Sequence, residues 1–312
     1  MNRLRIRHVT GFNYGGDVTA SYNEARMLPV SSDGQLVITS ALDISPVNAH
    51  HNYVDYWGTR VASFEILTPH HELSITANSI VEVRPRPAIL DPIDWTRLEL
   101  LVERSTATLE QLGPTRFTRA PGEVVEIARE IAARHTDPSA AAREICIAIG
   151  DAVEYVQGVT GVHSSAEDAW AQRKGVCQDI AHLAIGALRS VGIPARYVSG
   201  YLHPRAGAEI GETVTGESHA WVEWFAGDSW LGFDPTNGID IAGTSTLPGL
   251  SITLRYTMIW AGDEYGIEGE AQTFDTQRPA QIVQVGDRRG DVVVVEPDAL
   301  VDETVVARGE RA

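Results

Sequence analysis

Apolar residues recur at every second position through the first part of the chain. Leu36, Ile38, Leu42 and Ile44 fall on one face of an extended segment, and Leu73, Ile75, Ala77, Val81 and Val83 on one face of another. Such alternation belongs to half-buried strands. Turn residues at Gly15-Gly16 and Ser31-Ser32-Asp33-Gly34 separate the runs, and Arg84-Pro85-Arg86-Pro87 closes the region. A β-rich domain over residues 1–86 is expected.

The period then lengthens. Val124, Ile127, Ala128 and Ile131 follow helical spacing, and Asp137-Pro138 supplies an N-cap and a first-turn proline ahead of Ile145, Ala148 and Ile149. Residues 87–157 therefore read as a helical connector. Ser165 with Asp168 has the spacing of a capping box for a short helix through Trp170, with Arg173 and Lys174 suited to its end and Gly175 to a left-handed stop. A second helix follows at once, from near Cys177 through Ile180, Ala184, Leu188 and Val191 to Gly192-Ile193-Pro194. A strand over 195–202, a Gly-rich loop over 205–217 and two strands meeting at Gly227-Asp228 complete a core at 158–250. Residues 251–297, including Val292 to Val295, read as a β-prone extension, and 298–312 as a polar tail.

A net charge of -17 argues against nucleic acid or an anionic membrane as partner, since both reward clustered Lys and Arg. The chain has no apolar run of membrane-spanning length, and its charged start, Met1 to Arg7, is unlike a secretory signal, so a cytoplasmic location is expected. Two cysteines, Cys146 and Cys177, form neither a disulfide framework nor a four-thiolate zinc site.

Cys177 is placed at a helix N-terminus, where free N–H groups and the dipole favour a thiolate. Gly175 would let the backbone turn sharply into that helix, leaving the Cys177 N–H as an oxyanion donor. Asp179 opposes this through its like charge, so a basic partner is needed. The hairpin offers one. With a two-residue Gly227-Asp228 turn, Phe225 faces Trp230, and His219 and Asp234 become diagonal neighbours on one face, roughly 7–8 Å apart at the backbone. A three-residue turn would throw His219 to the other face. Cys177, His219 and Asp234 would then act as nucleophile, base and orienting carboxylate.

Other residues take plainer readings. Cys146 reads as a core residue on an amphipathic helix, and His182 as a packing or hydrogen-bonding residue. The pairs His50-His51 and His70-His71 read as solvated loop histidines rather than metal ligands. Trp221, Trp224 and Trp230 wall the cleft or fill core. Gln172 and Gln178 are open alternatives for a second oxyanion donor, and neither is assigned.

Three ordered motifs resemble bacterial transglutaminase-like proteins. They are Gly175-Val176-Cys177-Gln178-Asp179-Ile180-Ala181-His182-Leu183 with Gly192-Ile193-Pro194-Ala195-Arg196-Tyr197-Val198-Ser199-Gly200-Tyr201-Leu202, then Ser218-His219-Ala220-Trp221-Val222-Glu223, then Gly232-Phe233-Asp234-Pro235-Thr236-Asn237-Gly238. The opening, Arg5 to Thr10 through Tyr14 and Glu24 to Pro29, resembles the β-rich N-terminal region of the same proteins. One departure is Gly262-Asp263-Glu264-Tyr265, where relatives usually carry Gly-Arg-Asp-Tyr sooner after the aspartate. The resemblance implies an α+β fold with a papain-like, transglutaminase-like core, the Cys177 helix packed on an antiparallel sheet. It also implies thiol acyl transfer on a protein or peptide amide: a cysteine peptidase or amidase, with a cross-linking transglutaminase or a non-catalytic peptide-binding module as alternatives. No cofactor and no metal is expected.

Overall fold

The computed structural model describes residues 2–83 (except 33 and 48), 92–202 (except 162), 211, 213–216, 218–241, 251–252, 274–277 and 280–286. Six strands open the chain: β1 (Asn2–Val18), β2 (Ser21–Leu28), β3 (Gln35–Ser45), β4 (His51–Val54), β5 (Arg60–Ile66) and β6 (His70–Val83). Helices α1 (Trp95–Glu103), α2 (Thr106–Leu109), α3 (Gly122–Ala132) and α4 (Pro138–Asp151) follow, then β7 (Glu154–Tyr155), α5 (Ala166–Gln172), β8 (Lys174–Gly175) and α6 (Cys177–Ser190). The remaining strands are β9 (Ala195–Leu202), β10 (Thr213–Gly216), β11 (Ser218–Phe225), β12 (Trp230–Asp234), β13 (Ile239–Asp240), β14 (Ser251–Ile252), β15 (Phe274–Gln277) and β16 (Ala280–Gly286). The chain is α+β, as expected.

Two sheets make the N-terminal region. The larger runs β10-β16-β1-β6-β3, with β15 also on β1; the smaller runs β2-β5-β4. Leu42, Ile44, Leu73, Ile75 and Ala77 from the first pack with Ala25, Leu28, Ala62, Phe64 and Ile66 from the second. The inward face of β3 differs from its sequence pattern. Leu42 and Ile44 are buried, but Leu36 and Ile38 are 47% and 46% exposed. The pairing with β6 slips between Val37 and Thr39, and one extra residue in a bulge inverts the inward set, so Gln35 and not Leu36 is buried. Strands β15 and β16, from the stretch expected as a β-prone extension, pair with β1 of this N-terminal sheet. The stretches 84–87, 262–265, 292–295 and 298–312 lie outside the described residues.

The second core is helical on one side. Val124, Ala128 and Ile131 of α3, Ile145, Cys146 and Ile149 of α4, and Ile180, Leu183, Ala184 and Ala187 of α6 form one cluster with Ala195, Ala220, Val222, Trp224 and Phe233 of the sheet β13-β12-β11-β9-β14. Helices α3 and α4 thus share one core with α6 and its sheet. Helical period reveals α3 and α4 in the sequence, but not what their apolar faces meet. Among the described residues no helix is long and apolar enough to cross a membrane.

Candidate active site

Cys177 is the first residue of α6, after Val176 in extended conformation at the N-cap. Valine has no side chain to cap with, so the helix is closed from the third position instead. Asp179, fully buried, turns its Oδ2 back to accept from the Val176 N–H (2.8 Å) and from the Thr160 hydroxyl (2.6 Å). Burial pushes the Asp179 carboxyl up, against the pull of these bonds. The expected roles of Gly175 are corrected by this arrangement. Its φ is not in the left-handed region, and what it supplies is space: a Cβ there would lie 2.7 Å from Asp179 Cβ and 2.8 Å from Oδ2. The left-handed residue after α5 is Arg173 (φ 54°), whose guanidinium lies 3.4 Å from the Trp170 ring centroid and bonds Glu123 at 2.6 Å.

The β11–β12 hairpin has the register expected of a two-residue turn. Phe225 pairs with Trp230 and Val222 with Phe233, and the Ala226 N–H closes on Ser229 O at 2.8 Å around Gly227, at φ +105°. One step further along the same register sets Trp221 against Asp234 and brings His219 and Asp234 into contact, with Nε2 2.8 Å from Oδ2. The aspartate is fully buried and is also a turn residue, since its Oδ1 accepts from the backbone N–H groups of Thr236 (2.9 Å) and Asn237 (3.3 Å). Asn237 Nδ2 donates to Oδ2 at 2.6 Å and lies 3.5 Å from His219 Nε2. Asn237 is a site residue that the sequence pattern alone does not single out; its place three residues after Asp234, in an Asp-Pro turn, is the signal available for it.

The Cys177 thiol lies near enough to His219 to act on the same imidazole. Burial, the largest influence, pulls the imidazole down, but the bonds to Asp234 and Cys177 and the charges of both together push it up to about 9. The structure thus gathers Cys177, His219 and Asp234 at one place. Because the folded value lies above the ordinary 6.5, His219 contributes stability that is full below pH 6.5 and lost as pH rises through about 9. Urea unfolding at pH 6 and pH 9.5 is expected to differ by up to about 3 kcal/mol more in wild type than in Asp234→Asn. Equal differences would refute the coupling.

Other readings resolve individually. Cys146 is fully buried, which pushes its thiol up. His182 stacks on Phe117 and meets Tyr197 at a tilt, with centroids 5.7 and 5.3 Å away, and burial holds it down to about 4. His70, read as a solvated loop residue, is instead buried at the start of β6, its Nδ1 bonded to Thr68 O at 2.8 Å. The strand begins three residues before Leu73, where its apolar pattern starts. Trp221 and Trp224 are core, and Trp230 lies beneath Arg196. Among the described residues no group of three His, Cys, Asp or Glu is placed to hold a metal.

Residues 125–235 match the transglutaminase-like superfamily, and residues 4–82 match the bacterial transglutaminase-like N-terminal region. An uncharacterised protein of Mycobacterium leprae is 42% identical over 267 residues, covering 85% of this chain and 90% of that protein. One from Mycobacterium tuberculosis is 33% identical over 252 residues, covering 76% and 79%. The crystal structure of a candidate cysteine protease from Cytophaga hutchinsonii superposes with a TM-score of 0.65 at 19% identity over 94% of both chains, a likeness of fold.

Proposed function

The chain belongs to the transglutaminase-like superfamily, and from that premise we propose that it is a thiol acyl-transfer enzyme that hydrolyses amide or isopeptide bonds through Cys177, His219 and Asp234. The observation that carries this reading is the buried Asp234 carboxylate bonded to His219, with the Cys177 thiol near enough to act on the same imidazole. An imidazole held in this way carries a proton beside the sulfur, and a cation there favours the attacking thiolate. The sulfur adds to the amide carbonyl carbon while the Cys177 N–H, at the start of α6, faces the developing oxyanion. His219 gives its proton to the departing nitrogen, the C–N bond breaks and a thioester remains. Water then attacks the thioester, His219 takes its proton, and the carboxylic acid leaves as the thiol reforms.

Resolution by an amine in place of water would make the enzyme a transglutaminase. Hydrolysis is proposed because water needs no second binding site for an acceptor. Iodoacetamide labelling with peptide mapping tests the nucleophile first: Cys177 is expected to alkylate well below pH 8 while buried Cys146 stays unlabelled in the folded protein. Incubation with a peptide pool and a labelled primary amine then separates the outcomes. New carboxyl termini without amine incorporation support hydrolysis, and amine incorporation replaces it with transamidation. Slow Cys177 labelling with the pH profile of an ordinary thiol would favour a non-catalytic binding module.

A further inference from the structure

The strand that carries His219 is tied to the N-terminal β region at two points, through its neighbour β9 and through β10, which precedes it in the chain. On β9, Gly200 pairs with His219 and Tyr201 with Ser218. The Tyr201 ring, 2% exposed, leaves the catalytic sheet and inserts among Leu4 and Ile6 of β1 and Val81 of β6, with Val37 and Val83 beside them. Its hydroxyl bonds His8 Nδ1 of β1, the two rings lie edge to face with centroids 5.4 Å apart, and His8 Nε2 lies 3.4 Å from Thr10 Oγ1. On the chain side, β10 ends at Gly216, just before β11 begins at Ser218, and pairs with β16, which pairs with β1. Val214 and Ile6 both lie opposite Ile282. The N-terminal sheet therefore fixes the backbone entering His219 through β10 and the backbone opposite it through Tyr201.

We propose that Tyr201 and His8 are positioning residues for His219, so that the N-terminal β region is part of the catalytic apparatus and not an independent appendage. This rests on the triad reading above. The geometry has a direct physical consequence: His219 is the second residue of β11, where a strand end would otherwise fray. A hydroxyl–imidazole bond at the neighbouring pair, set in an apolar cluster, fixes where that end lies. Burial holds His8 down in its neutral form, in which one ring nitrogen donates and the other accepts.

NMR titration of the His219 ring in the full chain, together with Cys177 alkylation at pH 7, tests this. Tyr201→Phe keeps the ring in its apolar cluster and removes only the hydroxyl. It is expected to lower the His219 titration by about one unit and to slow alkylation roughly tenfold, a fraction of what ~1 Å of misplacement can cost. His8→Leu is expected to do the same. His8→Asn, whose amide places a hydrogen-bonding atom close to the Nδ1 position, should restore most of both. A lower melting temperature with the wild-type titration and alkylation rate in both Tyr201→Phe and His8→Leu would overturn the inference and leave the triad standing. A wild-type His219 that titrates in the ordinary range and ignores Asp234→Asn would instead overturn the triad, and this inference with it.

Discussion

In His219→Ala, acyl transfer is expected to fall by about 10²–10⁴-fold, the usual range for loss of a general acid–base. The substrate-free measure is the alkylation rate of Cys177 at pH 7, which should drop to that of an exposed thiol without a basic partner. The fold should survive the change. Asp234 keeps three of its donors, the N–H groups of Thr236 and Asn237 and the Asn237 side-chain amide, so its buried carboxylate is not left bare. His219 itself is not among the residues of the hydrophobic clusters. A wild-type circular dichroism spectrum with lost reactivity is therefore the predicted pair of results. Wild-type reactivity in the variant would remove His219 from the chemistry.

The site was legible in the sequence because its determinants are local. The two-residue turn at Gly227-Asp228 fixes the hairpin register, and the register alone brings His219 to Asp234. The start of α5 after Ser165 follows from a capping box with Asp168, three positions on. What was not legible depends on contacts distant in the chain. The bulge that turns Leu36 and Ile38 outward is set by how β3 meets β6, and an alternating pattern carries no mark of a slipped register. Gly175 was read through backbone freedom, the usual reason for a glycine at a turn, whereas the cause is the returning Asp179 side chain. The contact of Tyr201 with His8 spans 193 positions, and the addition of β16 to β1 spans nearly the whole chain. Neither has a period or a cap to announce it.

The same dependence on distant contacts makes Gly150→Ala the second change of large expected effect. Within a helix, alanine for glycine ordinarily stabilises by about 0.5–1 kcal/mol, and Gly150 lies in the last turn of α4. A Cβ at this position, however, would sit 2.0 Å from the carbonyl oxygen of Pro235 and 3.1 Å from its carbon. Both are backbone atoms, so no side chain can rotate to make room; either α4 or the turn must shift. Pro235 follows Asp234, and the next two N–H groups hold Asp234 Oδ1. Displacing the turn displaces the carboxylate on which His219 depends. The clash is expected to outweigh helix propensity, with a net loss of about 1–3 kcal/mol in urea unfolding and a fall in Cys177 alkylation of up to about 10²-fold if the turn moves by ~1 Å. Gly122→Ala at the start of α3, where a Cβ meets nothing within 4 Å, serves as the control: it should leave alkylation near wild type and should not lower stability. If Gly150→Ala unfolds at a higher urea concentration than wild type, α4 does not brace the aspartate turn and its close approach to Pro235 is without consequence for the site.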